Sequence, residues 1–236
     1  MSSDQAARHE PRAGEHIPAL CVSHVPIFNH LPGTALSVIA EKAAMRRYER
    51  GAFIHRAGDT SDKLFIVYTG KIKVYRLADN GKEQLLRILR PGDFTGELAL
   101  FSPSTHDTWA EAMQSSDVCT IHQADVRKLL LQFPDISLHV LAELSHRLSI
   151  SEKQTAVIAT ASINARLARY LASLVEHHGD ARVTLPMSRR NLASFLGTTP
   201  ETVSRRLGEF EHAGFIQQTG TRSIRILDLD ALLLVE

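Results

Sequence analysis

Between about Tyr48 and Ile121 the apolar residues come in short alternating runs rich in Ile, Val, Phe and Tyr. Each run is broken by a turn-like stretch: "ERGAF", "AGDTSD", "YTGK", "ADNGK", "RPGDF" and "SPSTHD". Alternation at every second residue marks a half-buried strand, and many short strands with glycine turns predict a small barrel or jelly roll. Asn80-Gly81 lies between two such runs and is a strong hairpin signal.

After Asp125 the apolar period lengthens to between three and four. "ADVRKLLLQF" reads as a helix ended by Pro134, and "DISLHVLAELSHRLSISEKQTAVIA" as a long helix with Asp135 as its cap. Leu141, Leu144 and Leu148, continued by Thr155 and Ile158, have the spacing of a helix-pair seam, which predicts dimerisation; the alternative is a helix packed on its own domain. A further helix, "NARLARYLASLVEHHG", stops at Gly179. Two short helices follow within "SRRNLASFLGTTPETVSRRLGEFEHAGF", then two strand-like runs around Gly220. Helix, helix, turn, helix, hairpin is the plan of a winged helix-turn-helix, and the predicted class is α+β.

The balanced composition fits a soluble globular chain: 236 residues, 44% hydrophobic, 22% charged. No apolar run approaches the roughly 18 residues of a membrane span. The polar N-terminal stretch "MSSDQAARHEPRAGEHIP" lacks the apolar core of a secretory signal, so a cytoplasmic location is expected. Two cysteines, Cys21 and Cys119, are too few for a disulfide framework or a four-thiolate metal site. The net charge of +1 conceals a local basic segment, in which Arg189, Arg190, Arg205 and Arg206 face one acid, Glu201.

In the second short helix Val203, Leu207 and Phe210 recur at i, i+4 and i+7 and define its buried stripe. Thr199 can cap it, Pro200 suits its first position, and Glu201, Ser204 and Arg205 fall together on the first exposed turns. A helix so presented can enter the DNA major groove. There Arg205 can pair with guanine, Glu201 can accept from a cytosine amino group, and Ser204 allows close approach to a thymine methyl. Arg189, Thr199, Thr202 and Arg206 are candidate contacts to the DNA backbone. Read alone, Glu201 could equally complement the helix dipole and Arg205 be a solvated charge.

With "AGDTSDKLFIVYTGKIKVY", "RPGDFTGELALF", the long helix after Pro134 and "LGTTPETVSRRLGEFEHAGFI", the sequence resembles the Crp/Fnr family of bacterial transcription regulators from about Cys21 onward. The resemblance implies a flexible tail over 1–16, a cyclic-nucleotide-binding-like sensory jelly roll over 17–134, a dimerisation helix over 135–160, and a winged helix-turn-helix over 161–236. It implies double-stranded DNA, a second copy of the chain and RNA polymerase as partners, no membrane, and no enzymatic activity. "ETVSR" resembles the Fnr-type recognition signature, which implies palindromes of the form TTGAT-N4-ATCAA.

Departures from the family pattern bear on the signal. Cyclic-nucleotide-binding members follow "GEL" with an arginine-serine pair on the phosphate; here His106 and Asp107 stand at about that place. Cyclic AMP is therefore not expected, and Glu97, Leu98, His106 and Asp107 remain as candidates to line an effector pocket. A four-cysteine iron-sulfur cluster is not expected either, because two thiolates cannot complete it. Resemblance to Fnr-like proteins of lactic acid bacteria implies instead a thiol/disulfide switch between Cys21 and Cys119. The alternative is that Cys119, sharing a face with Ile121, is a small buried hydrophobe.

Twelve histidines are numerous, but no pair has a metal-site spacing on a predicted helix, so surface histidines and no metal are expected. Trp109 is expected to pack the barrel. Two rival functions remain open: a cupin-type jelly-roll metalloenzyme, and a DNA-binding regulator that needs no effector.

Overall fold

The computed structural model describes residues 22–23, 25–97, 104–178 and 181–235. The predicted tail, Cys21, Leu98 and the helix stop at Gly179 lie outside them.

The alternating region folds into two four-stranded antiparallel sheets. One runs in the order β1 (Ala44–Tyr48), β10 (Ser116–His122), β4 (Lys63–Thr69), β7 (Phe94–Thr95); the other runs β2 (Phe53–His55), β9 (Trp109–Ala112), β5 (Ile72–Leu77), β6 (Glu83–Leu89). A short ribbon pairs β3 (Thr60–Ser61) with β8 (Ser104–Thr105). The inner faces meet through Val67, Ile72, Val74, Leu89, Ala110 and Val118, as expected of alternate residues facing a shared core. Asn80-Gly81 turns the β5–β6 hairpin, with Asn80 Oδ1 accepting from the Lys82 amide at 3.0 Å.

The outer face of the first sheet is also covered. Ile66, Cys119 and Ile121 pack against Ile27, Phe28 and a helix α1 (Gly33–Ala40), which the sequence pattern did not announce. Helix α2 (Gln123–Gln132) and the start of α3 (Pro134–Thr160) complete this cluster through Val126, Leu129, Ile136 and Val140. Asp135 is not the cap of α3: Pro134 already occupies its first turn, Phe133 stands at the cap position, and Asp135 serves as the first-turn acid. Leu144 still packs against this cluster, while Leu138, Leu141, Leu148 and Ile158 along the same helix are exposed.

Helix α4 (Ile163–His178) opens the C-terminal unit, with Ser162 Oγ accepting from the Ala165 amide at 3.1 Å. Then come β11 (Arg182–Thr184), α5 (Arg189–Leu196), α6 (Pro200–His212), β12 (Ile216–Gln218), β13 (Ser223–Ile226) and a last short helix α7 (Leu229–Leu233). The wing is a three-stranded sheet in the order β11-β13-β12 rather than the two-stranded hairpin expected from the sequence. Its core of Leu167, Leu171, Leu192, Leu196, Val203 and Leu207 continues into the sensory sheet through Tyr75 and Leu85. Trp109 joins that shared cluster from its margin and stacks edge-on against Phe53 at 5.4 Å, so it belongs to the seam between the units rather than to the barrel interior.

Candidate DNA interface and sensory cavity

The helix-turn-helix is held by its caps. Ser188 Oγ accepts from the Asn191 amide at 3.2 Å and starts α5. Gly197, with φ 72°, ends it in the left-handed conformation that a side chain disfavours. Thr199 then caps α6 by accepting from the Thr202 amide at 3.3 Å, with Pro200 at the first position. Val203, Leu207 and Phe210 are buried, as their spacing predicts, and this fixes the opposite face outward. Glu201, Ser204 and Arg205 are all exposed on that face within the first two turns. The backbone and Thr199 hydrogen bonds at the helix start hold the Glu201 carboxyl below its usual range. A charged acceptor therefore stands beside a guanidinium at the end of the helix that meets base edges.

The candidate backbone contacts are placed less uniformly. Thr199 and Thr202 sit at the helix start with their hydroxyls 3.2 Å apart. Arg189 reaches the wing, donating to Gln218 Oε1 at 2.6 Å and to the Thr221 carbonyl at 3.4 Å, beside Ser188 and Arg222. Arg206 lies along its own helix, paired with Glu209 at 2.5 Å, and its Nε is buried without a hydrogen-bond partner among the described residues. It is poorly disposed to reach phosphate.

Between the barrel and α3 lies a cavity of about 530 Å³. Glu97, His106 and Asp107 all line it, as the sequence suggests; Leu98 lies outside the described residues. Arginines that the motif comparison missed share the cavity. Arg87 on β6 and Arg147 on α3 both donate to Glu97 Oε1, at 3.2 and 3.0 Å, while Glu97 Oε2 is buried with no partner among the described residues. Arg147 also pairs with Glu143 at 2.7 Å, donates to the Phe94 carbonyl at 3.2 Å and lies 4.1 Å from the Phe94 ring centroid. Arg76 pairs with Asp107. Signals for two of these were present: a lone arginine inside the apolar run "LLRIL", and an acid four residues before an arginine beside Leu144.

Each of these three cavity arginines already holds a carboxylate, so an anionic ligand would compete with Glu97 or Asp107 for their guanidinium groups.

His55 overturns the expectation of surface histidines. It is 4% exposed, stacked on His106 at 3.7 Å, and its Nδ1 lies 3.1 Å from the Thr108 carbonyl. Burial, and after it the neighbouring His106 ring, lowers its pKa from 6.5 to about 4. The sign follows directly: below pH 6.5 the unfolded chain takes up a proton that the folded one refuses, so stability is full above that value and falls on acidification toward pH 4. The loss attributable to His55 is expected to reach about 3 kcal/mol near pH 4. Urea midpoints at pH 7, 6 and 5 check it, and His55→Asn, which keeps a donor for Thr108, should flatten the slope between 6.5 and 5.

Cys119 is fully buried, 3.8 Å from Met45 Sδ, and its sulfur is in a disulfide; no cysteine among the described residues is free. Among those residues no group of three or more His, Cys, Asp or Glu could hold a metal ion, and no helix is long and apolar enough to cross a membrane.

A jelly roll joined through a long helix to a capped, outward-facing recognition helix defines a DNA-binding regulator with a sensory domain. Comparison with known proteins agrees with both parts. Residues 45–133 match the cyclic nucleotide-binding domain and residues 165–234 the Crp-like helix-turn-helix domain. The chain is 39% identical over 210 residues to the "Probable transcriptional regulator flp" of Lacticaseibacillus casei, covering 89% of this chain and 95% of that protein. It is 28% identical to the "CRP-like cAMP-activated global transcriptional regulator" of Mycobacterium tuberculosis, covering 87% and 94%. Among solved structures, FixK2 from Bradyrhizobium japonicum superposes with a TM-score of 0.70 at 25% identity, covering 80% of this chain and 95% of that one. The chain belongs to the Crp/Fnr family of transcription regulators. The cupin-type metalloenzyme finds no support in these matches.

Proposed function

We propose that the chain acts as a homodimer that reads TTGAT-N4-ATCAA palindromes through Glu201, Ser204 and Arg205, and that a Cys21–Cys119 disulfide sets its affinity for them. The observation that carries this reading is the exposure of those three side chains on the first turns of α6, on the face opposite its buried stripe. Dimerisation is supported by the exposed Leu141, Leu148 and Ile158 on a 27-residue helix, which a second copy would cover. Two recognition helices must then stand about 34 Å apart to engage both half-sites. RNA polymerase is the further partner this reading entails, and the cytoplasm its location.

The redox part is supported by the disulfide at buried Cys119 and by Val22, the residue after Cys21, which packs in the same cluster as Cys119. Since the arginines of the cavity are engaged by carboxylates, a cyclic nucleotide is not the signal in this reading.

The test is affinity for the TTGAT-N4-ATCAA duplex at one fixed salt concentration, with reduced and with oxidised protein. A redox-dependent change that disappears in Cys21→Ser supports the switch. Equal, tight binding in both states keeps the recognition assignment and leaves either a cavity ligand or no effector at all. Binding no better than to scrambled DNA ends the reading of the palindrome.

A further inference from the structure

Strand β6 is the outer strand of its sheet, and an edge strand presents unpaired N–H and C=O groups. Here a helix of the DNA-binding unit covers that edge. Ser194, in the last turn of α5, accepts from the Leu85 amide and donates to the Glu83 carbonyl, both at 2.7 Å. One hydroxyl thus takes the place of a neighbouring strand. At the end of the same helix, where carbonyls lose their intrahelical donors, Gln84 Nε2 lies 3.4 Å from the Phe195 carbonyl and Arg166 donates to the Leu196 carbonyl at 2.6 Å. Leu85 and Tyr75 are buried in the core that also contains Leu192, Leu196 and Val203. The first helix of the helix-turn-helix is therefore bonded and packed to the sensory sheet.

The same strand also serves the cavity. Opposite β5, Arg87 pairs with Val74 and Leu85 with Tyr75, so Leu86 is an extra, bulged residue between them. A bulge re-aims side chains along its strand. On one side of it Leu85 enters the shared core; on the other, Arg87 holds Glu97 and Thr95 Oγ1 in the cavity.

We propose that Ser194 and the edge of β6 form a latch that fixes the orientation of the DNA-binding unit, and that Arg87, two residues along the strand, makes the latch answer to the cavity. Anything that draws Arg87 off Glu97 shifts the bulge, and with it the groups that Ser194 holds. The signal acts by favouring either the latched or the unlatched arrangement. The DNA arm of the following test rests on the regulator reading; its exchange arm does not.

Amide hydrogen exchange in the full chain tests the latch directly. Ser194→Ala removes both hydrogen bonds with little change in volume, and is expected to speed exchange of peptides covering 83–89 and 189–196 by about tenfold, leaving 116–122 unchanged. Arg87→Gln should speed exchange over 83–89 by about threefold. Unchanged exchange in Ser194→Ala, or an equal rise in 116–122, overturns the latch; unchanged exchange in Arg87→Gln overturns its link to the cavity. With the TTGAT duplex, Ser194→Ala should shift affinity by about threefold or more in one direction, and unchanged affinity overturns the control of orientation. If wild-type protein does not recognise that duplex, the palindrome reading fails while exchange still decides the latch.

Discussion

Alanine at Arg205 is expected to weaken binding to the TTGAT-N4-ATCAA duplex by roughly a hundredfold or more, since a good bidentate pair to guanine discriminates by about 1–3 kcal/mol and a dimer uses two. Arg205 is exposed, so folding should be nearly unaffected. The loss should be confined to DNA that carries the guanine. On duplexes with another base at that step, wild type and Arg205→Ala should bind within a few-fold of each other. Lysine should not restore the difference, because an ammonium lacks the planar fork that matches the guanine edge. An equal loss on scrambled DNA would instead make Arg205 a phosphate contact. Arg206 provides the internal comparison: its guanidinium is engaged by Glu209, and its removal should affect site selection far less.

What the sequence made legible was local. The buried stripe of α6 follows from Val203, Leu207 and Phe210 because helix geometry returns a residue to the same face every three or four positions. The β5–β6 turn follows from Asn80-Gly81, and the end of α2 from Pro134, each a constraint on one or two residues. What stayed hidden depends on distant segments. Glu97 meets Arg87 from ten residues away and Arg147 from fifty, and nothing in either neighbourhood specifies the meeting. Ser194 looks like an ordinary polar residue on a helix; its role depends on Leu85, 109 positions earlier. His55 sits in an alternating strand whose pattern shows that one face is buried, but its burial also needs His106 stacked on it from a separate loop. Short α1 and α7 escaped notice because so few turns give little periodicity to detect.

Alanine at Gly96 should be among the most destabilising single substitutions in the barrel. Gly96 has φ +88°, and an added Cβ would stand 2.2 Å from the Lys63 carbonyl oxygen and 3.3 Å from the Phe65 ring. That oxygen belongs to β4, an inner strand paired on one side with β10 and on the other with β7, so it cannot retreat. The expected cost is about 4 kcal/mol, and the thermal midpoint of the whole chain should fall by about 10 °C. Gly81→Ala separates conformation from sterics. Its φ is +77° but nothing lies within 4 Å of the added carbon, so it should cost only the roughly 1–2 kcal/mol of a left-handed residue. If the two variants melt alike, the clash at Lys63 is not real. Gly96 also sets the position of Glu97, so displacing it should release the carboxylate from Arg147 on α3. Adding Arg147→Met to Gly96→Ala should then cost less than it does alone, because the pair it breaks is already disturbed. Full additivity would mean that the turn and the arginine pincer are independent, and that α3 feels the cavity by some other route.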